Sequence, residues 1–217
     1  MEAVCNSRQG MPAGLYHSLS VYRRKVFIDR LGWELPSEDD CEQDQFDRDD
    51  TVYLVAQDNV GEVIGCGRLL PTTGSYLLQE VFPQLLNGIS PSSSFTVWEL
   101  SRFAAGDLRS AASARREHLA ERLMLKALRY CFRRGVRQLL AVTTLAVERL
   151  MLRAGVDLQR LGPPSMSGGQ PVLAVAIWVN ERSINSLSVF EEQAAYVGVR
   201  PTSCTRRAIA VSEPAMV

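Results

Sequence analysis

Apolar residues recur at helical spacing from 14 to 31, with Leu15, Leu19, Tyr22 and Val26 on one side. Gly32 follows, where a helix stop is expected. The pattern then changes. Thr51–Ala56 and Val63–Leu70 read as a strand pair, joined by a hairpin link through Asp58, Asn59, Val60 and Gly61. Thr96–Ala104 reads as a further strand after a loop-like stretch at 87–94, and His118–Arg134 as a second long helix ended by Gly135. Beyond it come a strand at Gln138–Thr143, a helix at Leu145–Arg153 stopped at Gly155, a strand at Pro171–Val179 and a helix at Asn185–Val197. No repeat and no interdomain linker interrupts this order. It predicts one α/β domain over 1–200, a mixed twisted sheet flanked by helices. Residues 201–217 are weakly periodic and read as a loose C-terminal tail.

Composition narrows the class. The chain has 217 residues, 46% hydrophobic and 22% charged, which is ordinary for a globular domain and excludes a disordered or coiled-coil protein. Lys+Arg and Asp+Glu both number 24, so there is no basic excess and no nucleic-acid partner is expected. No apolar run nears the roughly 20 residues of a membrane helix, and residues 1–10 lack an apolar signal core. A cytoplasmic protein without membrane insertion is expected. Five widely spaced cysteines without a C-x-x-C read as reduced thiols. The two histidines, His17 and His118, have no companion ligand at i+4, so neither a metal site nor a His-based triad is expected.

Charge is uneven along the chain. Between 38 and 50, eight acids (Glu38, Asp39, Asp40, Glu42, Asp44, Asp47, Asp49, Asp50) face only Arg48. Between 102 and 137, ten basic residues face Asp107, Glu117 and Glu121. Either run reads as a solvated surface, or as an attractor for a charged partner. Four segments stand out. Arg23 and Phe27 share a helix face, and Trp33 follows the helix end. Asp44 and Asp47 lie three apart in the acidic stretch. Arg68 sits in a strand beside Gly65 and Gly67, where glycine signals a close approach. Glu99, Ser101 and Arg102 lie within an apolar strand, where unpaired charge is costly. Simple alternation puts Glu99 and Ser101 on one face and Arg102 on the other, so a β-bulge is needed to bring them into one cleft.

Together these positions, Arg23, Phe27, Trp33, Asp44, Asp47, Arg68, Glu99 and Arg102, resemble the acyl-homoserine-lactone synthases, the LuxI-type autoinducer synthases of quorum sensing. The helix-like Thr144–Gly155 segment is also similar to that family. The resemblance implies a GNAT-like fold. It implies an acyltransferase that joins an acyl chain from acyl carrier protein to S-adenosylmethionine, releasing an N-acyl-homoserine lactone and 5′-methylthioadenosine. S-adenosylmethionine is then a substrate, and neither cofactor nor metal is implied. Glu99, Arg102 and Ser101 take the catalytic positions, with Glu99 the candidate base. Backbone N–H groups near 101–103 are candidates for the oxyanion. Arg23, Phe27, Trp33, Asp44, Asp47, Arg68 and Phe103 take the S-adenosylmethionine positions. The aromatic rings suit its cation and adenine, the acids suit its positive groups, and the arginines suit its carboxylate or the acids themselves.

An acyl pocket is expected among Phe82, Leu123, Met124, Ala141, Val142, Thr143, Leu150 and Trp178. Relatives that favour 3-oxo chains have a threonine where this chain has Ala141, so an unsubstituted acyl of about eight carbons is expected. Residues 110–116 lack the Gly-rich turn that holds the pyrophosphate of coenzyme A, which favours carrier protein. Its docking surface is expected at Arg115, Arg116, Arg122, Arg149 and Arg153. Two other readings stay open: a coenzyme A-dependent GNAT N-acyltransferase, and a non-catalytic S-adenosylmethionine sensor.

Overall fold

The computed structural model describes residues 2–35, 37–106 and 118–198. Its elements run β1 (Glu2–Ser7), α1 (Ala13–Arg23), a π-helical turn (Arg24–Arg30), β2 (Ser37–Glu38), β3 (Cys41–Glu42), β4 (Val52–Gln57), β5 (Val63–Pro71) and α2 (Leu77–Glu80). After a 3₁₀ turn at Pro83–Leu86 follow β6 (Val97–Ala105), α3 (Leu119–Arg133), β7 (Gln138–Thr144), α4 (Leu145–Arg153), β8 (Leu158–Arg160), β9 (Ser165–Ser167), β10 (Gln170–Trp178) and α5 (Glu181–Gly198). The main sheet has the order β1-β4-β5-β6-β7-β10-β8, with β9 on β10. Among the described residues its one parallel pair is β6 with β7, and the crossover between them carries α3.

The elements read from periodicity are present within a few residues, and the mixed sheet flanked by helices is the expected class. The short strands β2, β3, β8 and β9 and the short α2 are not expected from the sequence, and two further features differ. The edge strand β1 has no hydrophobic alternation and exists through its antiparallel pairing with β4. The first helix is α-helical only to Arg23, then widens into a π turn whose bond from Leu31 N to Val26 O is 3.1 Å. Residues 107–117 and 201–217, which hold Arg115, Arg116 and the expected tail, lie outside the described residues.

Strand alternation sends two sets of side chains to opposite faces. Leu54, Leu69, Leu100, Leu139 and Val175 pack under α3 and α5 with Leu123, Met124 and Leu187. On the other face, Tyr53, Val55 and Cys66 pack under α1 with Leu19, Tyr22 and Phe27. Further along that face, Leu70, Leu140, Ala174 and Ala176 pack under α2 with Phe46, Leu78 and Leu86. Polar groups fill the gap between those two clusters.

The parallel pair is short. Only Val97, Trp98 and Glu99 pair with Gln138, Leu139 and Leu140. Past that point β6 continues to Ala105 on β5 and β7 to Thr144 on β10 without pairing to each other, so the sheet opens as a wedge.

Candidate active site

The β5–β6 ladder carries the bulge that strand alternation called for. Cys66 pairs with Ala104 and Arg68 with Ser101, so two residues, Arg102 and Phe103, face the single Gly67. Arg102 adopts φ +50°, which is left-handed and costly for a side chain with a Cβ. The extra residue turns Arg102 to the face already occupied by Ser101 and Glu99. Phe103 turns the other way and packs with the α3 core. Gly67 lets the strands close here, because a Cβ would meet the Leu54 side chain at 2.8 Å and Phe103 at 3.4 Å and force the Leu54 methyl to shift.

Three arginines and three carboxylates converge on this face. Arg23 Nε donates to Glu42 at 2.5 Å, and its two Nη atoms donate to Asp47 at 2.7 and 3.0 Å. Arg68 Nη1 donates to Asp44 at 2.5 Å and to Asp47 at 3.2 Å, and its Nε to Ser101 at 3.0 Å. Arg102 donates to Glu42 at 3.0 Å and to Asp44 at 2.8 Å. The Tyr53 hydroxyl donates to Asp47 at 2.7 Å. These six charged side chains are at most 5% exposed. Burial alone would discharge Asp47, Arg23 and Arg68, but their pairing reverses this. Burial raises Asp47, yet Arg23 and Arg68 hold its carboxyl well below the usual carboxylate range. Burial lowers Arg23 and Arg68, yet their acid partners raise both above an ordinary guanidinium. Three guanidinium groups thus face three carboxyl groups, and their formal charges balance.

Glu99 sits apart from those pairs. Its Oε2 accepts from Leu78 N at 2.6 Å and its Oε1 from Leu77 N at 3.2 Å, at the start of α2. Burial raises its pKa, and the two N–H groups offset that only in part. A carboxylate made more basic by its surroundings is suited to take a proton. At the outer edge, Trp33 stacks on Phe27 with centroids 5.0 Å apart. The Arg102 guanidinium lies 5.6 Å from the Phe27 ring and 5.9 Å from that of Trp33.

A profile of the autoinducer synthase family matches residues 12–187, which hold every residue of this cluster. The chain belongs to the autoinducer synthase family. A curated acyl-homoserine-lactone synthase from Ralstonia solanacearum is 44% identical over 188 residues, 85% of this chain and 92% of the relative. The crystal structure of TofI, in a ternary complex with an inhibitor and MTA, superposes with a TM-score of 0.77 at 42% identity, covering 87% of this chain and 97% of TofI. That of BjaI, a CoA-dependent acyl-homoserine lactone synthase with SAM and isopentyl-CoA, gives 0.76 at 25% identity over 88% of each chain. At 16% identity and a TM-score of 0.56, an acyl-CoA N-acyltransferase from Pseudomonas aeruginosa shares the GNAT-like fold alone.

In this autoinducer synthase the cluster unites Arg23, Asp44, Asp47, Arg68, Ser101 and Arg102, with Glu99 beside them and Phe27 and Trp33 at the rim. The Phe103 ring is not with them, because it lies across the sheet. The pocket candidates divide between the two faces. Phe82 and Val142 share the face of Glu99, whereas Leu123, Met124 and Ala141 belong to the α3 core, and alternation puts Thr143 on the side of Ala141. Trp178 pairs with Gln138 at the closed end of the β6–β7 pair, remote from the wedge. Leu150 is half-exposed on α4. Arg149 and Arg153 are exposed on α4, four residues apart, and Arg122 is half-buried on α3. Two members escaped the sequence reading: Glu42, which joins Arg23 to Arg102, and Tyr53. Glu42 stood in the quoted acidic stretch, two residues before Asp44. Tyr53 gave no signal, because its strand reads as core.

Among the described residues, no helix is long and apolar enough to cross a membrane.

Proposed function

We propose that this synthase transfers an acyl chain from acyl carrier protein to the α-amine of S-adenosylmethionine, then closes the homoserine lactone and releases 5′-methylthioadenosine. The observation that carries the proposal is the placement of Glu99 and the neutral arginine–carboxylate floor at the point where β6 and β7 part. A zwitterionic, sulfonium-bearing substrate suits a floor with both signs of charge held in place and an aromatic pair above it. The MTA of the TofI complex and the SAM of the BjaI complex support the same substrate here.

In the first step Glu99, directly or through one water, takes a proton from the α-ammonium, and the amine attacks the thioester carbonyl. Backbone N–H groups at the bulge, where Arg102 and Phe103 leave the regular ladder register, are the candidate donors to the oxyanion. The tetrahedral intermediate collapses with loss of the carrier's sulfur, which takes the second amine proton and leaves as the thiol. In the second step the substrate carboxylate attacks its own γ-carbon, and the sulfonium departs as a neutral thioether. Holding the chain folded is the protein's main contribution to that ring closure.

The wedge gives the two-faced pocket candidates one sense. An acyl chain that enters beside Glu99 and passes between the strands reaches Ala141, Met124 and Leu123 on the far side. Ala141 in that path supports an unsubstituted chain, with about eight carbons as the working length. Arg122, Arg149 and Arg153 support an acidic carrier protein as donor. Coenzyme A is the second reading, because BjaI is a CoA-dependent relative. The deciding experiment incubates the purified protein with S-adenosylmethionine and a panel of acyl carrier proteins and acyl-coenzyme A donors, read by mass spectrometry. Octanoyl-homoserine lactone and methylthioadenosine from the carrier-protein arm are expected. Lactone only from coenzyme A donors moves the assignment to the second reading, and no lactone from any donor defeats both.

A further inference from the structure

β1 is the outermost strand of its side of the sheet and, among the described residues, pairs with β4 alone. Arg8 N donates to Thr51 O at 2.9 Å, in register with the β1–β4 ladder. Hydrogen-bonded pairs alternate along an antiparallel ladder, so Asn6 and Val4 also bond inward. The main-chain groups of Ala3, Cys5 and Ser7 then point out from the sheet. Edge strands are commonly blunted by charge, proline or a bulge. Residues 3–6 carry none of these, and their register on β4 runs without a shift. A groove of about 510 Å³ follows this edge, with residues 3–6 on one wall and Lys126, Tyr130 and Arg133 of α3 on the other. The Arg134 guanidinium covers the Tyr130 ring at 3.7 Å. Burial raises the Cys5 thiol to about 11, against the opposing pull of Lys126, Arg133 and Arg134. Among the described residues no carboxylate pairs with these three cations, whereas Arg129 on the same helix meets Glu191 at 2.6 Å.

We propose that this groove docks an extended, acidic segment of a partner protein, which joins the sheet as a strand beside β1. The outward main-chain groups of β1 need a backbone partner, and the cations of α3 need carboxylates. Ala3 and Cys5 turn their side chains to the α3 core, and Val4 turns to the α1 core. An added strand likewise shows α3 every second side chain, about 7 Å apart. Lys126 and Arg133 lie two turns apart on α3, about 10 Å. Acids at alternate positions of the segment therefore meet cations along that length, with uncharged residues between them. Charge also selects the occupant. A second copy paired β1 to β1 would bring two sets of these cations together. Segment 201–217 of this chain carries Arg206 and Arg207 against Glu213 alone. β4 and β5 separate β1 from β6 and the wedge, so a segment docked here leaves the catalytic face open.

The test uses the full chain and a fluorescent decapeptide of alternating Glu and Thr, read by anisotropy at low salt. A control peptide has the same composition with its glutamates in one block. The alternating peptide is expected to bind about tenfold tighter or more, because only its acids all face α3. Lys126→Glu with Arg133→Glu is expected to weaken it about tenfold or more and to leave lactone synthesis unchanged. Cys5→Pro removes an outward N–H and keeps the pairs with β4, and is expected to weaken it about three- to tenfold. Amide exchange followed by NMR should slow at Ala3, Cys5 and Ser7 when the peptide binds. A block peptide that binds as tightly, or exchange unchanged at those amides, means charge attraction without strand addition and overturns the proposal. So does inorganic triphosphate that displaces the peptide at equal concentration, which makes the groove a small-anion site. A wild type whose β1 amides are already slow in a dimer makes a second copy the occupant and overturns it too. Binding of neither peptide overturns it outright. The exchange measurement uses the wild type, so it decides the matter even if both variants fail to fold.

Discussion

The thiol of Cys66 donates to the carbonyl of Arg102 at 3.0 Å. That carbonyl belongs to the residue whose left-handed backbone turns its side chain into the site. The thiol is fully buried on β5, and burial pushes its pKa up to about 12, so it stays a neutral donor. Cys66→Ala is expected to destabilise the fold by about 1 kcal/mol and to slow turnover, through a loosened bulge. Cys66→Ser is expected to recover turnover in part. Urea unfolding alongside steady-state kinetics checks both. In the native wild type, Cys66 should resist iodoacetamide at pH 8.

Gly67 opposes the bulge, with Leu54, Phe103 and Leu100 all within 3.5 Å of the position of a Cβ. Gly67→Ala is expected to destabilise by about 1–3 kcal/mol, as in other overpacked sites. A thermal melt that matches the wild type would mean that the two strands separate at low cost.

The carboxylate of Glu99 both caps the start of α2 and faces the site, and kinetics separate these roles. If it is the base, Glu99→Gln lowers kcat by about 10²–10⁴-fold. Burial raises its pKa, so the acid limb of the wild-type rate profile should lie above the usual carboxylate range. The variant should lack that limb. A variant with full turnover but a lowered melting temperature would leave Glu99 as an anchor for α2 alone.

Asp47 links the site to acid stability. Burial alone would raise its pKa, but Arg23 and Arg68 depress it below the ordinary 3.8. A depressed carboxylate contributes stability above its unfolded value, and that contribution is lost as pH falls toward its folded value. Urea midpoints are therefore expected to hold from pH 7 to about 5 and to fall below about 4. Asp47→Asn removes one partner of a buried pair and should cost about 3–5 kcal/mol at pH 7. Its acid limb should be shallower than that of the wild type.

Arg149 and Arg153 lie one helical turn apart on the exposed face of α4, the helix that leaves β7 at the wedge. The double charge reversal Arg149→Glu with Arg153→Glu should raise KM for octanoyl carrier protein about tenfold or more at low salt. KM for S-adenosylmethionine should not change. Equal KM for the carrier protein would move the docking surface away from α4.

Local pattern determined much of this protein. Periodicity of three to four residues marked α1, α3 and α4, because each helix buries one side, and short apolar runs marked β4 to β7, which helices cover on both faces. Charged residues inside apolar segments marked Arg68, Glu99 and Arg102, since burying a charge is unfavourable unless a partner waits. Even the bulge was legible as a requirement, because Glu99, Ser101 and Arg102 cannot all share one face of a regular strand. Tertiary structure decided the rest. Which carboxylate meets which arginine depends on α1, β3, β5 and β6 converging, so Glu42 emerged as the link only in three dimensions. Phe103 and Trp178 looked like site residues by their place in the chain, but the bulge turned one across the sheet and strand register carried the other to its closed end. The wedge is set by how far two parallel strands stay paired, which depends on contacts more than thirty residues apart and on no pattern within either strand.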